Sequence, residues 1–420
     1  MQPTSFNRTS RYLSVTLLAL TAASAFAGPG DWTQWRGSNR DGAVTGFTAP
    51  ATWPEALHQV WKVEVGTGHA TPLVADGRIY VFSRLDNGEV IECRRLTDAK
   101  SVWRRRYPVT YKMHPAARDH GQGPKSTPIL HAGHLYTLGI TGRLHCLDAA
   151  TGDVKWSYDF TGKFRNNAPL FGTAASPIID AGLLIAHVGG HDHGALTAFD
   201  ARTGDVKWRW AEDGPGYTSP IVVTLGGRRQ LVTQSQEFTL GLDPITGKLL
   251  WKIPYETQHV MNIVTPVLYK DTLIFGGYRK PVDAVEFAFT PGGTPLPRTR
   301  WSNPDLPLFM SSPVLIGDAL YGFSQRDKGK LFCLDAATGK THWTTDGRMG
   351  ENAAIVHAGN TLFTLTDRAE LIVSTAGTKK FDPRARYKVA DSPTWAHPVV
   401  INNRILIKDK THLTLWSFDK

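Results

Sequence analysis

Leu144-His145-Cys146-Leu147-Asp148-Ala149-Ala150-Thr151-Gly152-Asp153-Val154-Lys155-Trp156 decides the fold, because the chain repeats it. The phrase returns as Leu196 to Trp208 (LTAFDARTGDVKW), Thr239 to Trp251 (TLGLDPITGKLLW) and Leu331 to Trp343 (LFCLDAATGKTHW). Degenerate copies end at Trp103 and Trp301, and a weaker one lies near Phe381. Each copy reads as a hairpin. An alternating strand enters a turn where Asp accepts local backbone N–H groups and Gly supplies positive φ, and a short strand with an inward Trp leaves it. No unit of this size buries its apolar face alone, so the repeat implies stacked units.

A second marker opens each unit. It is a Ser/Thr-Pro pair at Thr71-Pro72, Thr127-Pro128, Ser176-Pro177, Ser219-Pro220, Thr265-Pro266 and Ser312-Pro313. Asn352-Ala353 and His397-Pro398 hold the corresponding places in the last two units. Successive markers stand roughly 40 to 56 residues apart, near the period of four-stranded propeller blades. After each marker come an apolar strand, a small-residue turn such as Ala132-Gly133 or Ala181-Gly182, a second apolar strand, another turn and the hairpin. Four strands per unit and eight units predict an all-β, eight-bladed β-propeller of four-stranded antiparallel blades. The ring is expected to close through pairing of its N- and C-terminal segments. The eighth unit reaches its third strand at Leu413-Thr414-Leu415-Trp416, and Val60 to Val65 supplies the missing fourth. Such pairing leaves no unpaired sheet edge around the ring.

Ahead of the repeats, Met1 to Ala27 reads as a secretory signal: Arg8 and Arg11, an apolar run from Tyr12 to Ala23, then Ala25-Phe26-Ala27 as a small-x-small cleavage site. The run is well short of the roughly 20 apolar residues of a membrane anchor, and the cleavage region holds no Cys for lipid attachment. The expected mature chain is periplasmic or secreted, has no transmembrane segment, and forms one propeller domain from residue 28 to 420. Its irregular start, residues 28–58, is expected to be clamped on the ring by Trp32, Trp35 and Trp53. Arg36, Asn39, Arg40 and Asp41 there are candidates for a binding surface.

Losing the signal removes two Arg and no acid, so the formal charge of +10 becomes +8. That balance suits contact with anionic partners. Export and the lack of any nucleic-acid motif exclude a nucleic-acid role. Cys93, Cys146 and Cys333 fall on the third strands of their units, too scattered to bridge, and read as buried thiols. There is no Cys-x-x-Cys-His for haem attachment.

The Asp-Ala-x-Thr-Gly-x-x-x-Trp hairpins with their Ser/Thr-Pro strands resemble the pyrroloquinoline-quinone (PQQ) repeat superfamily of propellers. The start at Trp32, Trp-x-x-Trp-Arg-Gly-x-Asn-Arg-Asp-Gly, resembles exported bacterial PQQ-binding-like β-propeller repeat proteins. The resemblance covers about Asp31 to Lys420 and is specific for fold rather than function. That family joins quinoprotein alcohol and sugar dehydrogenases with non-enzymatic scaffolds such as the outer-membrane-protein assembly propeller.

Topology directs attention to the face on which each innermost strand begins, here called the top. His69, Lys125, Tyr217, Asn262, Glu351, Asn352, Trp395 and His397 precede those strands and are expected to gather at the channel mouth as a ligand site. The second turns of the units share this face and lean basic: Tyr278-Arg279-Lys280, Gln325 to Lys330 with Arg326, and Lys408-Asp409-Lys410. If they converge they favour an anionic ligand. Two long top-side connections, Tyr107 to Ser126 (with Arg118, Asp119, His120 and Lys125) and Tyr158 to Ala175 (with Arg165, Asn166 and Asn167), are expected to act as lids or plugs.

Two functional classes follow. One is a platform for a small anionic ligand or a periplasmic protein partner. The other, implied by the resemblance, is a quinoprotein dehydrogenase, with PQQ over a Trp such as Trp395 and Ca²⁺ held by Glu351, Asn352 and Asn262. The catalytic Asp of that family has no identifiable counterpart here. His187, His191, Asp192 and His193 lie close in sequence, but a shared metal centre is not expected because they divide between a strand and a turn. No nucleophile–base arrangement points to a hydrolase.

Overall fold

The computed structural model describes residues 30–164, 169–191, 193–290 and 295–419; the expected signal, residues 1–27, lies outside them. Eight four-stranded antiparallel sheets form an eight-bladed β-propeller. Blades 1 to 7 run in chain order from Leu73–Pro108, Ile129–Asp159, Ile178–Trp210, Ile221–Pro254, Val267–Asn303, Val314–Thr344 and Ala353–Lys388. Blade 8 holds Val399–Ile401, Arg404–Lys408 and His412–Ser417, and His58–Glu64 completes it as the outermost strand. Trp61 pairs with Leu415 and Val63 with Leu413, so the two ends of the chain meet in one sheet.

The repeated phrase joins neighbouring blades. In its turn, Asp148 Oδ1 accepts the N–H groups of Ala150 and Thr151 at 2.9 and 3.2 Å, while Gly152 takes φ +76°. The Trp of one blade then lies over the turn of the next. Trp103, Trp156, Trp208 and Trp301 donate their indole N–H to Ala149, Ala201, Pro244 and Ala336 carbonyls at 3.0–3.1 Å. Their rings sit against Gly152, Gly204, Gly247 and Gly339, where any Cβ would collide. The inward Trp expected from the sequence is thus an inter-blade contact. Blade 5 carries only a degenerate copy without the Thr-Gly turn, and the Trp251 indole of blade 4 instead bonds Gln230 Oε1 of its own blade at 2.6 Å.

The Ser/Thr-Pro markers form a belt around the channel. His397 N donates to Thr71 Oγ1 (3.2 Å), Thr71 N to Thr127 Oγ1 (3.1 Å), Thr127 N to Ser176 Oγ (2.9 Å) and Ser176 N to Ser219 Oγ (2.9 Å). Thr265 N to Ser312 Oγ (3.0 Å) and Ala353 N to Ser311 Oγ (3.0 Å) continue it. These amides start the innermost strands and have no ladder partner inside the channel, so a neighbouring hydroxyl satisfies each.

The N-terminal segment makes contacts with several blades and enters the channel. Trp32 forms a bridge with Val74, and Ala43 one with His357. Between them the Trp35 indole donates to Thr265 Oγ1 at 2.9 Å, joining the belt from inside. Trp53 and Phe47 pack on Phe363 and Phe418. The three cysteines are buried and free.

Candidate functional site

Trp35 and Arg36 are adjacent in sequence, yet Trp35 lines a top-side cavity and Arg36 a bottom-side one, so the segment divides the channel. The top compartment is small, about 120 Å³. His69, Lys125, Tyr217, Asn352, Trp395 and His397 stand in its wall, with Trp35, His120 and Met310. It adjoins a mouth cavity of about 570 Å³ between blades 8 and 1, whose wall includes Thr67, Gly68, Arg84, Arg118, Asp367 and Lys410. His69, His120 and Trp395 belong to both and form the partition.

That partition is an aromatic cluster. The His120 ring meets Trp395 at 5.1 Å and Phe171 at 5.5 Å, and His69 lies 5.7 Å from Trp395. The long connection after blade 1 makes this contact by folding into a 3-10 helix, Pro115–His120, which brings His120 over the channel. His69 Nε2 is 2.8 Å from the His120 carbonyl, which only accepts, so Nε2 carries the proton.

Two lysines set the field around His69. Lys125 Nζ donates to Phe171 O (2.8 Å) and Gly121 O (3.4 Å), while Lys408 Nζ donates to Gly66 O (3.2 Å), Gly68 O (2.9 Å) and Asp409 O (3.1 Å). Among the described residues neither ammonium has a carboxylate within ion-pair distance. Burial pulls both down to about 8. Burial first, then the charges of Lys125 and Lys408, drive His69 down to about 3, so its imidazole is neutral at pH 7. His120 is lowered in the same way, by burial and then Lys125.

Deeper in the channel, His397 is buried, and among the described residues neither of its ring nitrogens has a hydrogen-bond partner. Its ring stands edge-on to Trp35 at 4.5 Å, and burial lowers it to about 3. Burial raises the Tyr217 phenol, whose oxygen accepts the Phe171 N–H at 3.3 Å. The compartment therefore offers a donor and an acceptor on one neutral imidazole, beside fixed positive charge and a tryptophan face.

Three expected residues stand elsewhere. Asn262 is fully buried, with Nδ2 on the carbonyls of Ser235, Gln236 and Tyr255 and Oδ1 accepting the Thr257 hydroxyl, so its amide holds loops together. Arg326 is exposed and reaches the Pro304 carbonyl at 3.3 Å. Glu351 is exposed and lines neither cavity. The basic turns do not converge as a set: Lys330 pairs with Asp327 and Arg279 stacks on Tyr278, while Lys410 reaches the mouth. Arg165, Asn166, Asn167 and Asp192 lie outside the described residues. His187 and His191 bond the carbonyls of Asp213 and Pro215, and among the described residues no group of His, Cys, Asp and Glu is placed to hold a metal ion.

A family model described as outer membrane protein assembly factor BamB matches residues 88–345, more than half the chain. The chain belongs to that family. BamB of Burkholderia pseudomallei is 25% identical over 326 residues, covering 73% of this chain and 74% of that protein. Quinohemoprotein alcohol dehydrogenase ADH-IIG of Pseudomonas putida is 27% identical over 154 residues, 36% of this chain but 20% of the enzyme. The chain thus spans about a fifth of the length of the dehydrogenase it matches. Among solved structures, quinohemoprotein alcohol dehydrogenase from Comamonas testosteroni superposes with TM-score 0.66 at 16% identity, covering 94% of this chain and 81% of that one. BamB from Moraxella catarrhalis gives TM-score 0.61 at 16% identity over 87% and 98%. At such identities these structures share the fold.

The quinoprotein cofactor set can be tested on this BamB-family chain. The carboxylate of Glu351 is at the exposed surface, the Asn262 amide is consumed by four internal bonds, and Asn352 Oδ1 accepts the Ser311 hydroxyl at 2.7 Å. These residues do not assemble an oxygen cage for Ca²⁺, which takes six to eight oxygen ligands. They do not fit the group that the resemblance implied.

Proposed function

We propose that this chain is an exported, non-catalytic binding propeller that receives an anionic group, from a small ligand or a protein partner, at its top-face mouth. The observation that carries this reading is the pair of lysines, Lys125 and Lys408, acting together on the neutral imidazole of His69, neither with a carboxylate within ion-pair distance among the described residues. A charge held only by neutral carbonyls gains most from an incoming anion, because the desolvation of the lysine is already spent. Trp395 adds a flat apolar face beside it. The family description, outer membrane protein assembly factor, supports a protein as the natural source of the anionic group.

The alternative, PQQ- and Ca²⁺-dependent oxidation, is supported by the dehydrogenase relatives and by Trp395, but lacks an assembled calcium donor set. Calorimetric titration with PQQ, with and without Ca²⁺, separates the two. The binding reading expects any PQQ affinity to be independent of Ca²⁺ and lost in Lys125→Ala. Affinity that requires Ca²⁺ and falls in Glu351→Ala would replace it with the quinoprotein reading. Unchanged affinity in Lys125→Ala would remove the lysine pair as its basis.

A further inference from the structure

Below the N-terminal segment the channel opens into a second cavity of about 500 Å³. Arg36 and Arg40 line it although they are only 1% and 4% exposed. Arg36 Nη2 donates to Pro313 O (2.5 Å) and Asp41 O (3.4 Å). Arg40 Nη1 donates to Pro177 O (2.9 Å) and Gln34 Oε1 (3.1 Å), and its Nη2 to Ser176 O (3.3 Å). Among the described residues, the Nε of each arginine has no hydrogen-bond partner. Among the described residues, neither guanidinium is in an ion pair.

The nearby acids leave this charge in place. Asp180 is taken by Arg229, which also lines the cavity. Asp41 is exposed and its Oδ1 accepts the Ala43 N–H at 2.9 Å. Burial lowers Arg36 to about 10, and burial together with the charge of Arg36 lowers Arg40 to about 9, so both remain cationic at pH 7. Asp41, which also lines the cavity, attracts Arg36 without pairing with it, so two like charges stand side by side with no ion-pair partner among the described residues.

Part of the remaining wall is apolar. Ile179, Val222, Val223, Leu268 and Leu315, from the innermost strands of blades 3 to 6, line it and are only half-buried. Innermost propeller strands ordinarily lose their apolar side chains to the core, and surface left accessible here would be removed by an apolar occupant.

We propose that this lower cavity is a second binding site, separate from the mouth, for an amphiphilic carboxylate, with its anionic head at Arg36 and Arg40 and its hydrocarbon body along Ile179, Val222, Val223 and Leu268. The inference does not rest on the top-face reading, since Trp35 and Arg36 separate the compartments. Because the site is built from the N-terminal segment and four blades, an occupant would also fasten that segment in the channel.

The test is calorimetric titration of the full protein with octanoate, octanol and octylammonium at neutral pH. One octanoate should bind per chain, octanol at least tenfold more weakly, and octylammonium not at all. Val223→Trp, which adds bulk to the cavity wall and leaves both arginines unsubstituted, should lose octanoate while keeping its circular dichroism. Silence with octanoate at millimolar concentration, equal binding of octanol, or retained octanoate binding in a folded Val223→Trp would each overturn the proposal. Should Val223→Trp fail to fold, the head-group series on the unsubstituted protein decides alone.

Discussion

The Trp156 indole of blade 2 donates to the Ala201 carbonyl of blade 3 at 3.0 Å, and its ring covers Gly204 so closely that a Cβ there would lie 2.8 Å from it. The two ends of the repeated phrase therefore serve different blades: the Asp-x-x-Thr-Gly turn is the seat, and the Trp of the preceding blade occupies it. Trp156→Ala should destabilise the fold by roughly 3–5 kcal/mol, the range for truncating a packed aromatic. Urea unfolding would measure it, and a loss below about 1 kcal/mol would mean that the blades are held by other contacts.

Gly204→Ala tests the seat from the other side. Gly204 has φ +81°, which L side chains rarely adopt, and the new methyl would push into the Trp156 ring. Its cost should exceed that of Gly182→Ala, where φ is +78° but nothing stands within 4 Å. Equal changes in Tm for the two variants would show that backbone strain acts alone and that the ring contact is unimportant.

Buried imidazoles make stability fall in acid. Burial lowers His69 and His397 to about 3, and His145 and His187 to about 4, from an ordinary 6.5. Between those values and 6.5 the unfolded chain binds more protons than the native one, so stability rises with pH across that window and is lost as pH falls through it. His397→Leu should show a shallower decline of Tm below pH 6.5 than the parent. Parallel profiles would contradict a neutral, buried His397.

The ring was legible because its signals are periodic. Asp-x-x-Thr-Gly, the Ser/Thr-Pro belt and the orphan third strand at Leu413–Trp416 each report a local rule repeated in space. Sequence position also identified which residues approach the mouth, His69, Lys125 and His397 among them, since that follows from where innermost strands begin. It did not show which side chains turn aside. Asn262 and Glu351 occupy the same approaches, yet one is locked by loop carbonyls and the other faces solvent. Lys408 ends the strand Arg404–Lys408 and reads as a surface charge, and its burial depends on the carbonyls of Gly66 and Gly68, over three hundred residues away. The entry of Trp35 into the channel likewise depends on a partner, Thr265, that no local pattern names.

The thiols give an independent check on the blade interiors. Burial raises Cys93, Cys146 and Cys333 to about 11, and all three lie on strands packed between neighbouring blades. A disulfide reagent at pH 8 should label none of them in the native protein within the time that it labels all three in denaturant, because the thiolate is the reacting species. Rapid native labelling of Cys146 would place an opening motion in blade 2.

The last prediction separates structural from electrostatic roles at the mouth. Asn262→Ala strips a partner from the carbonyls of Ser235, Gln236 and Tyr255 and from the Thr257 hydroxyl, so it should cost about 2 kcal/mol or more. Lys125→Met removes a buried charge whose partners among the described residues are two carbonyls, and should leave Tm nearly unchanged or raised. Its signature lies next door. Lys125 is one of the two charges that hold His69 down, so the His69 imidazole should titrate above its value of about 3 in Lys125→Met, followed by NMR. An upward shift with unchanged stability would identify Lys125 as a source of field. An unmoved His69 would mean that the Lys125 charge does not reach the imidazole, and the proposed reading would lose its basis there.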